Sequence, residues 1–131
     1  MKDLIEEAYV SFEVAKLLKE KGFDEEILSF YIPYEDGEVK FVVSPNKANY
    51  NAEQHWLISA PTHQMAMGWL REKGVYITIV YGDYPSLNKV FWTPQIDSLE
   101  GFDFPDSFYK EYNKYEEAVE AALKYVLENL I

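Results

Sequence analysis

Two histidines, His55 and His63, are the side chains of this chain best suited to acid–base or metal chemistry at neutral pH. They lie eight positions apart, and this spacing does not match the HExxH pattern in which two helical histidines hold zinc. A metal site or an acid–base pair would therefore need a further partner, for which Glu53 or a later acidic residue has suitable chemistry. The sequence leaves two interpretations open: an enzyme or metal-dependent binder built on His55, His63 and carboxylates, or two histidines with surface and capping roles.

A second candidate group consists of acidic residues at intervals of three, namely Asp97, Glu100, Asp103 and Asp106. Regularly spaced carboxylates can supply the oxygen ligands of calcium or magnesium. This series lacks the alternating ligands and the terminal Glu of an EF-hand loop, and Phe102, Phe104 and Pro105 stand where an ion cage needs small, flexible residues. We therefore expect no metal ion and no cofactor, and we interpret the four carboxylates as part of a binding surface.

Other catalytic patterns are absent from the sequence. The six glycines form neither a GxGxxG nor a GxxxxGK[ST] phosphate loop, and no serine lies in a GxSxG motif. Because the chain has no cysteine, it has no disulfide, no thiolate metal site and no cysteine nucleophile. These absences favour a protein that is not an enzyme and that works in a reducing compartment such as the cytoplasm.

The charge of the chain limits its partners. Its 23 acidic and 12 basic residues give a formal net charge of −11, and the basic residues form no run. Such a surface repels phosphate backbones and anionic lipids, so we expect no direct nucleic-acid binding and no membrane association. The first residues lack the pattern of a signal peptide, and no stretch has the length of an apolar membrane span. The same charge could also serve solubility alone.

Four tyrosines are not explained by the periodicity of a core: Tyr50, Tyr84, Tyr109 and Tyr112. Aromatic rings beside carboxylates can anchor a partner while the charges select a basic one. We therefore predict a protein-binding surface made of the four carboxylates, with Tyr109 and Tyr112 as its anchors and a basic protein as its partner. The alternative is a structural homo-oligomer in which an edge strand or the last helix pairs across a two-fold axis.

The first half of the chain predicts a helix and a hairpin. Ser11 can cap a helix that ends at Gly22. Alternating apolar residues over Leu28–Ile32 and Val39–Val43 flank an Asp-Gly pair, which is a strong hairpin signal. The polar stretch 44–53 predicts a surface loop, before a short apolar run at 56–58.

The second half repeats this order and adds a helix. Thr62 can cap a helix ending at Gly74, with an apolar face of Met65, Ala66, Trp69 and Leu70. Strands at 75–81 and 89–93 flank a turn at 82–86. Asn113 and Glu116 resemble a capping box before a C-terminal helix with apolar residues at 3.6 spacing.

These elements, in the order αββαββα, predict an α+β fold with one domain over residues 1–131. The simplest arrangement is an antiparallel sheet of about four strands, from two hairpins, with three helices on one face. The two helix ends, LLKEKG and WLREKG, share an offset of 52 residues. This offset indicates either a duplicated αββ unit or chance convergence on a common helix end.

Four stretches resemble a family of small uncharacterised proteins from prophages and mobile elements of gut bacteria: YVSFEVAKLLKEKGF at 9–23, ISAPT at 58–62, WLRE at 69–72 and YEEA at 115–118. Together they span most of the chain. The resemblance implies a cytosolic accessory protein, and the family offers no catalytic or binding residues to transfer. It favours a binding role by analogy, since small acidic phage proteins often mimic nucleic acid or inhibit host enzymes.

Overall fold

The computed structural model describes residues 7–98 and 110–131. Its elements in chain order are α1 (Phe12–Glu20), β1 (Ile27–Pro33), β2 (Val39–Ala48), α2 (Tyr50–Glu53), β3 (Ile58–Ser59), α3 (His63–Glu72), β4 (Val75–Tyr84), a 3₁₀ turn (Pro85–Leu87), β5 (Lys89–Ser98) and α4 (Tyr115–Asn129). Contacts divide the chain into two compact units, Met1–Gln64 and Met65–Ile131, here called unit 1 and unit 2. A single domain over the whole chain stays a prediction.

The α+β class is confirmed, and both predicted hairpins are present. Among the described residues the hairpins belong to two antiparallel sheets, β2-β1-β3 in unit 1 and β4-β5 in unit 2, instead of one four-stranded sheet. The difference arises at β1, where the short strand β3 pairs with Phe30 and Tyr31. The first hairpin thereby gains a third strand within unit 1.

The first hairpin turns at the predicted Asp-Gly pair. The Tyr34 N–H donates to the Glu38 carbonyl (2.8 Å), and the Gly37 N–H donates to the Tyr34 carbonyl (3.1 Å). Gly37 has a φ of 91°, so it closes a three-residue loop in the left-handed conformation that glycine adopts without strain. A carboxylate oxygen of Asp36 accepts from the Glu38 N–H and fixes the turn further.

Helix α1 begins and ends as the sequence predicts. The Ser11 hydroxyl accepts from the Val14 N–H (3.2 Å) and satisfies a backbone donor of the first turn. Gly22, with a φ of 90°, reverses the chain, and the Phe23 N–H then donates to the Leu18 carbonyl. Phe23 and Leu18 are both buried, so this reversal also contributes to the core of unit 1.

The predicted surface loop at 44–53 is wrong. Its first residues continue β2 to Ala48, and Tyr50–Glu53 forms α2. Tyr50, a candidate surface tyrosine, is buried, with its ring 4.4 Å from the Phe30 ring. Its hydroxyl donates to the Asn46 carbonyl, so the polar stretch folds around this ring.

Asn51 joins three parts of unit 1. Its side-chain oxygen accepts from the Ser59 N–H (2.8 Å), and its backbone N–H donates to the Ser59 hydroxyl (3.1 Å). Its side-chain nitrogen donates to the carbonyl of Phe23 (3.0 Å). These bonds hold α2, β3 and the chain after α1 together.

The segment before α1 runs beside the segment before α3. The Val10 N–H donates to the Pro61 carbonyl (3.0 Å), and the His63 N–H donates to the Ala8 carbonyl (2.8 Å). Unit 1 is therefore closed by backbone bonds between its two ends.

Helix α3 buries Ala66, Trp69 and Leu70 as predicted, but Met65 is exposed. The buried stripe instead includes Met67, because positions 66, 67 and 70 lie on one helical face and position 65 lies beside it. The predicted stop is confirmed by a φ of 84° at Gly74.

The second hairpin is longer than predicted. Pairing continues from Val75 opposite Ser98 to Tyr84 opposite Lys89, so Gly82 belongs to β4 and the predicted turn at 82–86 is displaced. The chain reverses at the 3₁₀ turn and at Asn88, whose φ is 50°. Gly82 pairs with Phe91, and a Cβ at position 82 would overlap the Phe91 ring. The glycine thus admits the ring into the hairpin.

The C-terminal helix α4 buries the middle of the predicted stripe, namely Ala118, Val119, Ala122, Leu123, Val126 and Leu127, whereas Tyr115 and Leu130 at its ends are half-buried. The capping box is wrong, because the helix begins at Tyr115 after Lys114, which forms no side-chain cap. Glu116 and Glu117 instead lie in the first turn, where negative charge favours the helix dipole. None of the helices within the described ranges is long and apolar enough to cross a membrane.

The offset of 52 residues between the two helix ends holds only for the helices. Gly22 and Gly74 both adopt positive φ. However, four residues separate Gly22 from β1, whereas β4 begins directly after Gly74. The backbone likeness is therefore confined to the helix ends.

The contact between Gly82 and Phe91 leads to a stability prediction. We expect Gly82→Ala to lower the free energy of unfolding by about 1 kcal/mol, because the added methyl group displaces the Phe91 ring. In a Phe91→Ala background the same change should be neutral or stabilising by up to about 1 kcal/mol, since glycine is unfavourable within a strand. Urea unfolding of the four proteins measures this as a double-mutant cycle. Additive effects would contradict it.

Candidate protein-binding surface

The structure describes two of the six residues predicted to bind a partner. Asp97 is exposed in β5 and lies opposite Tyr76 of β4. Tyr112 lies in unit 2, three residues before α4. The other four, Glu100, Asp103, Asp106 and Tyr109, lie outside the described residues, so their part in the surface stays a prediction.

Tyr112 is held against the second hairpin. Its N–H donates to the Trp92 carbonyl, and its carbonyl accepts from the Trp92 N–H, both at 2.8 Å. Its side chain is half-buried, and burial raises the pKa of its phenol. The Lys110 ammonium lies 5.8 Å from its ring centre. Tyr112 is therefore partly a structural residue that extends the sheet at β5, and only part of its ring is available as an anchor.

The second hairpin has two different faces. Val75, Pro94 and Ile96 are buried on the face that α4 contacts, which we call the covered face. Trp92 shares this face, and its ring meets that of Tyr115 in α4 edge-on at 5.4 Å. Because side chains alternate along a strand, the neighbouring residues point to the opposite side of the hairpin.

This opposite side, here called the open face, carries Tyr76, Thr78, Val80, Gly82 and Tyr84 of β4 and Lys89, Phe91, Thr93, Gln95 and Asp97 of β5. Tyr76, Val80 and Tyr84 are exposed although they are large and apolar. Phe91 lies over Gly82, and its ring centre is 5.0 Å from that of Tyr84. The open face is thus a row of aromatic and β-branched side chains in contact with solvent.

The tip of the hairpin continues this exposed surface. Leu87, in the 3₁₀ turn, is 70% exposed, and Tyr81 and Val90 are exposed where the covered face approaches the tip. The Tyr81 hydroxyl donates to an Asp83 carboxylate oxygen at 3.3 Å. Of the exposed aromatic and aliphatic residues on the open face and at the tip, only Tyr84 was predicted from the sequence to lie at the surface. The sequence shows two strands with residues of high β propensity on both faces. This pattern is equally typical of a buried strand, so it does not predict an exposed face.

Tyr84 is fixed by a contact to the segment before α4. Its hydroxyl donates to the two carboxylate oxygens of Glu111, at 3.0 Å for Oε1 and closer for Oε2. This hydrogen bond raises the pKa of Tyr84, and partial burial and the negative charge of Glu111 raise it further. The carboxylates Asp83 and Glu111 thus lie beside aromatic rings near the tip, as Asp97 does at the other end.

The two histidines occupy different surroundings in unit 1. His55 is exposed, and its carbonyl accepts from the Lys19 ammonium (2.6 Å), which also donates to the Leu57 carbonyl (2.7 Å). His63 is buried at the start of α3. Within residues 7–98 and 110–131, no three His, Asp or Glu side chains are grouped so that they could hold a metal ion.

The Tyr84–Glu111 contact predicts a titration change. Because the bond favours the protonated phenol, Glu111→Gln should lower the pKa of Tyr84 toward its ordinary value near 10. The stabilisation is fully present below that pH and is lost as pH rises through the raised pKa of Tyr84. NMR titration of tyrosine labelled at Cζ measures the shift, with Glu116→Gln as a control that leaves Tyr84 unchanged. A Tyr84 titration unaltered by Glu111→Gln would exclude this role.

The resemblance to a prophage family stays an expectation. No protein-family model, no curated protein and no solved structure matches the chain.

Proposed function

We propose that this chain is a non-enzymatic accessory protein that binds a basic protein partner through the open face and the tip of its second hairpin. The observation that carries the proposal is the row of exposed large apolar side chains on a regular ten-residue strand pair. Exposed apolar side chains are common singly, but a contiguous row of them marks an interaction site.

The residue types on this surface suit protein recognition. The row includes Tyr76 and Tyr84, and phenol rings offer large contact areas at low cost in side-chain entropy. Val80 and Thr93 form a cross-strand pair at its centre, where a partner side chain could exclude water from both. The surface therefore has an apolar centre with one tyrosine toward each end.

The charges on this surface support a basic partner. Asp97 lies at one end of the open face, and Asp83 and Glu111 lie near the tip. The chain as a whole carries a formal net charge of −11. Long-range attraction then speeds the approach of a basic protein, and the local carboxylates orient it.

The surface is also fixed before binding. Tyr84 is held between Glu111 and the Phe91 ring. The Phe91 ring in turn lies against Gly82, in the position that a Cβ atom would otherwise occupy. Side chains that are already ordered lose less entropy when a partner binds.

Affinity capture with matched variants tests this function. Val80→Lys places a positive charge at the centre of the open face, and Leu28→Lys makes the same kind of change at a residue of β1 with the same exposure, 41% in each case. Proteins from a lysate of the producing cells, retained by the immobilised chain at low salt, should be basic and should be released as salt rises. Val80→Lys should reduce their capture by about tenfold or more, whereas Leu28→Lys should not.

Circular dichroism of each variant shows whether it is folded. Two results would refute the proposal: no protein enriched at low salt, or equal capture by folded Val80→Lys and by the unaltered chain. Cross-links between the captured protein and unit 1 alone would place the binding surface elsewhere.

A further inference from the structure

Within the part of unit 1 that the structure describes, strand β2 has an edge to which no strand is paired. Among the described residues it pairs with β1 alone, and it is the outer strand of its sheet. Val39, Phe41 and Val43 alternate along it and are all exposed, Val43 by 56%. An exposed apolar edge strand is a template on which another strand can add.

The hydrogen bonds of the first hairpin determine which backbone N–H and C=O groups of β2 point away from β1. In an antiparallel pair, residues alternate between those that bond to the partner strand and those whose polar groups point away from it. The Tyr34 N–H donates to the Glu38 carbonyl, so Lys40 and Val42 also bond toward β1. The Ser29 carbonyl accepts from the Ala60 N–H on the side of β3, which agrees with this phase. The N–H and C=O groups of Val39, Phe41 and Val43 therefore point outward.

The free segment has defined ends. The acidic turn with Glu35 and Asp36 precedes it. After Val43 the register shifts, because Ser29 pairs with Val43 while Ile27 pairs with Ala48, and Pro45 lies in the extra residues between them. Bulges and prolines end strand pairing at an edge. The segment available to another strand is thus Val39–Val43.

We propose that two copies of this chain pair along this segment, antiparallel, about a two-fold axis at Phe41. In this register Phe41 faces Phe41 of the second copy, and Val39 faces Val43 of the second copy. Every outward donor then meets an outward acceptor, because residues 39, 41 and 43 have the same phase in both copies. The side chains that become covered are the exposed apolar ones.

Charge complementarity supports a second copy as the occupant. Antiparallel pairing places the acidic turn of one copy, with Glu35 and Asp36, at the end where the second copy carries Lys47. Lys40, in the middle, lies opposite the uncharged Val42 of the second copy. No like charges face each other within the paired segment, which would otherwise destabilise it.

The symmetry also limits pairing through β2 to two copies. An interface that uses the same segment from both copies is closed and leaves no further β2 edge. At the other side of the sheet, β3 has only two residues, too few to continue the pairing. Five residues per copy bury less than the roughly 800 Å² per partner of standard interfaces, so the dimer is weak. The inference concerns unit 1 and does not depend on the proposed function of the second hairpin.

Light scattering on the purified chain, from about 10 µM to about 1 mM, should show the mass rise from one copy to two. Val39→Lys should keep the chain monomeric, as should Val43→Glu. The double variant with both changes should dimerise again, because each lysine then faces a glutamate of the second copy. A purely structural role of these valines would give no such rescue.

Cysteine pairing checks the register in a chain that has no cysteine of its own. An equimolar mixture of Val39→Cys and Val43→Cys should form a mixed disulfide far faster than either variant alone, because residues 39 and 43 are directly opposed across the axis. Val80→Cys, an exposed valine of β4, is the control and should cross-link at background rate with both. A monomer throughout the concentration range, or mixed cross-linking no faster than the control, would overturn the proposal. A third result would also overturn it: a chain that is monomeric by light scattering and whose capture of a basic protein is lost on Val43→Glu. The strand paired with β2 would then belong to that protein.

Discussion

A two-stranded hairpin has too little buried surface to be stable by itself in water, and this constraint governs unit 2. The strands β4 and β5 remain ordered because α4 covers Val75, Pro94 and Ile96, and because the segment at Tyr112 bonds to the backbone of Trp92. One helix can cover one face only. The open face is therefore a direct result of how the hairpin is stabilised, and its exposed tyrosines are available for another use.

The hairpin of unit 1 is stabilised in a different way. It gains a third strand, β3. The side chain of Asn51 links that strand to the backbone of Phe23, after α1, through two hydrogen bonds. The aromatic rings of Tyr9, Tyr31 and Phe41 contact each other in series, so even the outer strand is anchored on one side. Within the part of the chain that the structure describes, no strand pairs with the outer edge of β2. The two units thus leave different surfaces exposed: a side-chain surface in unit 2 and a backbone edge in unit 1.

Features that depend on a few neighbouring residues were predictable from the sequence. Ser11, Gly22 and the Asp-Gly turn act within a turn or two of chain, and the stripe of α4 is fixed by its own period. The errors concern contacts between distant residues. Tyr50 was interpreted as exposed because its neighbours are polar, yet it packs on Phe30, twenty positions away. In the candidate site, charge and composition singled out Asp97 and Tyr112. The open face went unrecognised, because only the placement of α4 determines which side of the hairpin is covered.

The order of the elements in the chain has a consequence for synthesis. Unit 1 can close once residues 61–63 have emerged to pair with the segment before α1. The second hairpin forms locally, but α4 is translated only after β5 and the 16 residues that follow it. Until then the covered face, with Val75 and Ile96, is as accessible to water and to chaperones as the open face. The nascent hairpin consequently passes through a stage in which it is apolar on both sides, and the arrival of α4 determines how long that stage lasts.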